Sequence, residues 1–120
     1  MSETLVSTLK KLEVIIRPGK LEAVKRALAQ AGYSGVTISQ AEGHGTQRGL
    51  TQDRPTGSFR MELVPKLRME IVIAEADLEP LIEAIMKASQ TGQVGDGKIF
   101  VSDIRDAVRI RTGERGTKAI

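Results

Sequence analysis

The sequence predicts an α+β fold, a ferredoxin-like βαββαβ sandwich, on three observations. Stretches that alternate apolar and polar residues are interleaved with two stretches of helical period, and their order is strand–helix–strand–strand–helix–strand. Both helices then cover one face of a mainly antiparallel sheet. The other face keeps apolar residues, Ile15 and Val72 among them, which points to association through the sheets.

Lys10 to Arg17 reads as the first strand, with Leu12, Val14 and Ile16 alternating against Glu13, Ile15 and Arg17. Pro18-Gly19 ends it, because proline disfavours helix at the residue before it and glycine permits the turn. Leu21, Val24, Ala27, Leu28 and Ala31 fall on one helical face between Lys20 and Ala31, and Gly32 suits the C-terminal cap. A second strand runs from Gly35 to Glu42, with Val36, Ile38 and Gln40 against Thr37, Ser39 and Ala41.

Residues 43–58 break every period and hold Gly43, Gly45, Gly49, Pro55 and Gly57 between polar residues, which reads as a long functional loop. Phe59 to Ala74 is a long third strand with Leu67, Met69, Ile71 and Ile73 facing one way. Asp77 is a suitable N-cap, and Pro80 still lies within the first helical turn. The stripe Leu78, Leu81, Ile82, Ile85 and Met86 reads as core, and Lys98 to Ser102 as a fourth strand.

The 120 residues make one domain with 40% hydrophobic content, no cysteine and a formal charge of +3. A disulfide framework and thiolate metal sites are excluded. No apolar run reaches bilayer length, and the start carries no export signal, so a cytoplasmic protein without membrane insertion is expected. Tyr33, Phe59 and Phe100 are the only aromatic residues, too few for a base-stacking platform, so no nucleic-acid partner is expected. A lone His44 makes a histidine zinc site improbable.

The chemistry concentrates in two segments. Thr91-Gly92-Gln93-Val94-Gly95-Asp96-Gly97-Lys98 presents three glycines and a lysine, a backbone suited to close approach by an anion. Arg109-Ile110-Arg111 places two arginines at alternate positions, so on a β-like run both guanidinium groups leave one face. Together they describe a polyphosphate cradle; two surface turns with solvated charge fit the spacing equally well.

From residues 10 to 120 the chain resembles the PII signal-transduction family. The carrying residues are Leu12 to Pro18, the Thr91-to-Val101 run, and Arg109-Ile110-Arg111-Thr112-Gly113-Glu114-Arg115-Gly116. The resemblance implies one PII-like domain over residues 1–120, with 1–9 as an N-terminal extension and a T-loop at 43–58. It places the B-loop at 91–98 and a C-terminal segment at 103–120. It also implies a homotrimer whose sheets face a central barrel, with ATP and ADP competing for clefts between subunits. The resemblance further implies that a protein target is docked by the T-loop in nitrogen metabolism, a membrane transporter being one such target class.

Carried over residue by residue, Gly95, Asp96, Gly97 and Lys98 match the phosphate loop, and Arg109 and Arg111 the arginines from the adjoining subunit. Ile15, Thr37 and Val72 match the adenine pocket. Gly45, Thr46 and Gln47 match the T-loop base, with Gln47 implied to help hold Mg²⁺ and 2-oxoglutarate and Lys66 to pair with a 2-oxoglutarate carboxylate. Thr46 stands where the family usually has arginine, so Mg²⁺-ATP is expected to be held less tightly and ADP or AMP relatively better. His44 replaces the usual phenylalanine. The usual modification sites fall on Phe59 and Gly57, neither of which has a hydroxyl.

An alternative within the family is a regulator tied to inorganic carbon that binds ADP or AMP and bicarbonate. Outside it, a phosphoryl-transfer enzyme needs a nucleophile beside the phosphate, and His44 is the only histidine and sits at the loop base, so no enzymatic activity is expected.

Overall fold

The computed structural model describes residues 8–48 and 59–120, and for 42–48 and 59–63 the backbone alone. Its strands are β1 (Leu9–Ile16), β2 (Thr37–Arg48), β3 (Phe59–Ala74) and β4 (Gly97–Ile104), and its helices α1 (Leu21–Gln30) and α2 (Leu78–Ser89). The strands form one antiparallel sheet in the order β2-β3-β1-β4. That is the expected ferredoxin-like sandwich, and no helix among the described residues is long and apolar enough to cross a membrane.

The period-two alternation determines which face is buried. Leu12, Val14 and Ile16 of β1 and Met69, Ile71 and Ile73 of β3 meet Val24 and Leu28 of α1 and Leu81 and Ile85 of α2. Fully burying side chains of this kind stabilises the fold by roughly 1.5–3 kcal/mol each. The opposite face carries Ile15, half-buried, across from Arg68 and Lys98, and Val72, half-buried, across from Lys11. There Glu13 and Glu70 stand directly opposite one another, an arrangement that like charges disfavour. Arg68 donates to Glu13 at 2.8 Å and Lys11 pairs with Glu70 at 2.8 Å, neutralising both.

Helix α1 ends as Gly32 suggests. Gly32 takes φ +92°, its amide reaches the Ala29 carbonyl at 3.0 Å, and the Tyr33 amide reaches Leu28 at 2.9 Å. This is a Schellman closure, and Tyr33 packs against the core. Ala31, expected on the buried face, is the exposed cap residue instead. Asp77 occupies the N-cap position of α2 but makes no side-chain cap bond. Its carboxylate accepts the Tyr33 hydroxyl, which in turn accepts the Ala74 amide at 3.0 Å, so Asp77 ties α1 to β3 rather than capping α2.

The stretch from Gly43 read as irregular begins as strand. Strand β2 continues through Arg48, pairing Gly43 with Val64 and Arg48 with Phe59. Backbone pairing with a long β3 supplies the order that side-chain alternation lacks there. Residues 1–7 and 49–58, including Gly57 and the loop tip, lie outside the described residues.

Candidate functional site

The loop between α2 and β4 is built around its own acid. The Asp96 carboxylate turns back and accepts the Thr91 hydroxyl at 2.5 Å, the Thr91 amide at 2.7 Å and the Gly92 amide at 2.9 Å. Arg17, at the end of β1, adds its Nε at 3.1 Å. The Thr91 hydroxyl foremost, with these amides and the guanidinium, holds the Asp96 carboxyl well below the ordinary aspartate range. The acid is therefore committed inward rather than facing an incoming anion.

Two cations reach the loop from the sheet. Arg17 donates through Nη2 to the Val94 carbonyl at 2.9 Å, and Lys66 of β3 donates to the Gly95 carbonyl. Lys66 is buried, and burial, then the neighbouring positive charge of Arg17, lowers its pKa against the opposing pull of Asp96. An ammonium lacking full compensation is a place where an anion is welcome.

Gly95 and Gly97 take φ +102° and +110°. A Cβ on Gly95 would stand 3.1 Å from Arg17 Nη2, and one on Gly97 would fall 1.7 Å from the Ile15 carbonyl oxygen. Gly97 is thus required by the pairing of β4 with β1, whether or not a ligand binds.

Beside this loop the sheet brings several candidates together. Lys98 lies directly across from Ile15 on the face away from the helices, with Val72 and Thr37 on the same face. On the helix side, Ile82 and Met86 of α2 line an apolar groove with Ile99 and Val101 whose end reaches Asp96, Gly97 and Lys98. Met86, read from its helical stripe as core, is 49% exposed there.

Other candidates lie on segments that start away from the loop along the sheet. Arg109 and Arg111 were expected on a β-like run; they sit instead in a turn closed by the Val108–Arg115 bridge. The Arg109 amide bonds the Glu114 carbonyl at 2.8 Å, and Gly113, at φ +75°, returns to the Arg109 carbonyl at 2.7 Å. This turn leaves β4 at Ile104, seven residue steps or roughly 23 Å from Gly97 at ~3.3 Å per residue. At the loop base, Gly45, Thr46 and Gln47 pair with Glu62, Met61 and Arg60, whereas Lys66 faces Ala41. Gln47 and Lys66 are six steps apart on the ladder, roughly 20 Å at ~3.3 Å per step, so this conformation does not place them on one ligand.

The side chains of His44, Thr46 and Gln47, and that of Phe59 opposite Arg48, lie outside the described residues. Among the described residues no group of three or more His, Asp or Glu is placed to hold a metal. A single carboxamide oxygen such as that of Gln47 is a hard donor, and it fits Mg²⁺ only in company with phosphate oxygens. Sequence reasoning missed Arg17. Its role depends on Asp96 and Val94, nearly eighty residues away, and no local spacing signals such a contact.

Residues 9–114 match the family model described as nitrogen regulatory protein P-II. The chain is 49% identical over 112 residues to a "Nitrogen regulatory protein P-II" of Rhodospirillum rubrum, covering 93% of this chain and 100% of that one. It is 46% identical to "Nitrogen regulatory protein P-II 2" of Methanothermobacter thermautotrophicus, covering 93% and 97%. Among solved structures it is similar to a B. subtilis GlnK–ATP complex, with TM-score 0.80 and 31% identity over 96% of this chain and 99% of that one. It is also similar to Arabidopsis thaliana PII bound to citrate, with TM-score 0.76 and 38% identity over 95% and 94%.

Proposed function

The chain belongs to the nitrogen regulatory protein P-II family, and from that premise we propose that it is a trimeric regulator that binds ADP and ATP between protomers and captures a protein target through its T-loop. The observation that carries this reading is the 91–98 loop. A committed acid, inward-turned carbonyls and Lys98 leave its outer side electropositive. Similarity to a GlnK–ATP complex supports a nucleotide as the anion.

In this reading association completes the site. The arginine turn starts at the far end of β4 from the loop, so in this reading a neighbouring protomer brings Arg109 and Arg111 to the phosphates. The open sheet face, with Ile15, Val72 and Phe100, and the edge strands β2 and β4 give copies of the chain surfaces on which to meet.

Lys66 is the proposed contact for a dicarboxylate such as 2-oxoglutarate, a class to which the citrate of the Arabidopsis structure is chemically related. Bringing Gln47 to the same ligand, with Mg²⁺ held between ATP and that ligand, requires the β2–β3 hairpin to open near Gly43. Ligand binding then shifts the T-loop between populations, which is the means of signalling proposed here. The relatives named for nitrogen regulation favour this reading over the inorganic-carbon alternative. The protein is proposed to act as a cytoplasmic regulator, not a catalyst.

Calorimetric titration with ATP, ADP, AMP, 2-oxoglutarate and bicarbonate tests the reading, alongside the solution mass. Trimers that bind ADP and ATP are expected; a monomer indifferent to both overturns it. Deleting residues 49–57 should abolish target capture while leaving nucleotide affinity nearly intact, and loss of both together would defeat the proposed division of labour.

A further inference from the structure

Within the 91–97 loop two successive carbonyls are sorted to one side. Val94 offers its carbonyl to Arg17 and Gly95 its carbonyl to Lys66. Every described peptide is trans, and a planar trans peptide points its C=O and N–H in opposite directions. Fixing the Val94 carbonyl toward Arg17 therefore turns the Gly95 amide away from it. Fixing the Gly95 carbonyl toward Lys66 does the same for the Asp96 amide. Among the described residues neither amide donates a hydrogen bond.

We propose that Arg17 is a positioning residue of the nucleotide site, which holds the Val94 carbonyl and the Asp96 carboxylate inward and so aims the successive amides of Gly95 and Asp96 at the phosphates. The inference rests on the reading that this loop receives nucleotide phosphates. Two features support Arg17 over a general cation. Its Nε and Nη2 engage two different loop groups at once, a fork that a lysine cannot reproduce. Gly95, whose Cβ would press on that guanidinium at 3.1 Å, leaves the space the fork occupies. The same arrangement explains how an aspartate sits within an anion site without repelling the anion.

ADP titration calorimetry on the full-length protein tests this with Arg17→Gln, Arg17→Lys, Asp96→Asn and the Arg17→Gln/Asp96→Asn double variant, each checked for folding by thermal melting. Arg17→Gln should weaken ADP about tenfold, as expected for a lost charge-assisted contact. Arg17→Lys should stay within about threefold of that loss, because charge without the fork does not restore the aim. The double variant should lose less than the sum of the singles, since both act through one contact.

Wild-type affinity in Arg17→Gln, full recovery in Arg17→Lys, or additive losses would each overturn the inference while leaving the nucleotide reading in place. A wild-type protein that binds no ADP overturns both. If Arg17→Gln does not fold, Asp96→Asn decides: weaker ADP binding with faster hydrogen exchange of residues 91–97 supports the proposal, and unchanged values for both refute it.

Discussion

The loop at 91–97 and the turn at 105–116 are the two segments proposed to meet a nucleotide, yet they are built in opposite ways. The loop is tied to distant strands: Arg17 and Lys66 hold its carbonyls, and Gly97 packs against the backbone of Ile15. The turn supplies many of its own bonds. Arg115 pairs with Asp106 at 2.9 Å, and Thr112 donates to Glu114 at 2.9 Å. A loop braced by the sheet is a fixed receptor, whereas a self-contained turn is a unit that can be offered to another molecule. The difference suits the proposal that they meet across an interface between protomers.

Glycine substitutions break that comparison most directly. Gly97→Ala puts a methyl at 1.7 Å from a carbonyl oxygen in a left-handed backbone, so β4 must separate from β1. A loss of about 3 kcal/mol or more in urea unfolding is expected. Gly113→Ala in the turn has open space and meets only the strain of φ +75°, which costs about 1–2 kcal/mol and is confined to the turn. Equal losses at the two positions would erase the distinction.

The centre of the sheet was legible in the sequence because burial imposes a period of two that β1 and β3 display, whereas the edge strands β2 and β4 are mostly exposed. Phe59–Ala74 and the stripe Leu12, Val14 and Ile16 could be read off directly. The glycine-rich 43–48 extension was not, since its order comes from backbone pairing, which leaves no side-chain pattern. Asp77 shows the other limit. Its position fits a cap, but a tyrosine over forty residues away takes its carboxylate. Within the candidate site, the loop's glycines and Lys98 announce themselves locally, whereas Arg17 matters only through contacts that folding creates. Arg109 and Arg111 sit in a turn and not on the β-like run that their alternation suggests, because alternation in so short a segment also suits a turn.

Binding tests the two regions next. Lys98→Ala on the braced side and Arg111→Ala on the offered side should each cut ADP and ATP affinity about tenfold or more, each removing a charge-assisted contact worth roughly 1.5–3 kcal/mol. Arg109 already has Glu114 at 3.5 Å, so Arg109→Ala should cost less than Arg111→Ala. Mixing is more telling than either single variant. If loop and turn come from different protomers, co-refolding the Lys98→Ala and Arg111→Ala chains should restore a fraction of sites with wild-type affinity. No recovery in calorimetry would mean that each site is built within one chain.

The smallest effect concerns the two acids. Thr91 and neighbouring amides depress the Asp96 pKa, with Arg17 as a lesser cause, whereas Asp106 is depressed first by Arg115. A lowered folded pKa contributes stability above the unfolded value that is lost as pH falls through the folded one, so neither acid should alter stability between about pH 5 and 8. Salt separates them. At 1 M, where screening acts over roughly 3 Å, the Asp106 midpoint should rise toward the ordinary value because an exposed ion pair is weakened. Asp96, gripped mainly by neutral hydrogen-bond donors, should move less. Carboxyl-carbon NMR titrations at low and high salt measure both. A larger rise at Asp96 would mean that the Arg17 charge, rather than the Thr91 and Gly92 donors, dominates the loop, reversing the contrast between the two regions.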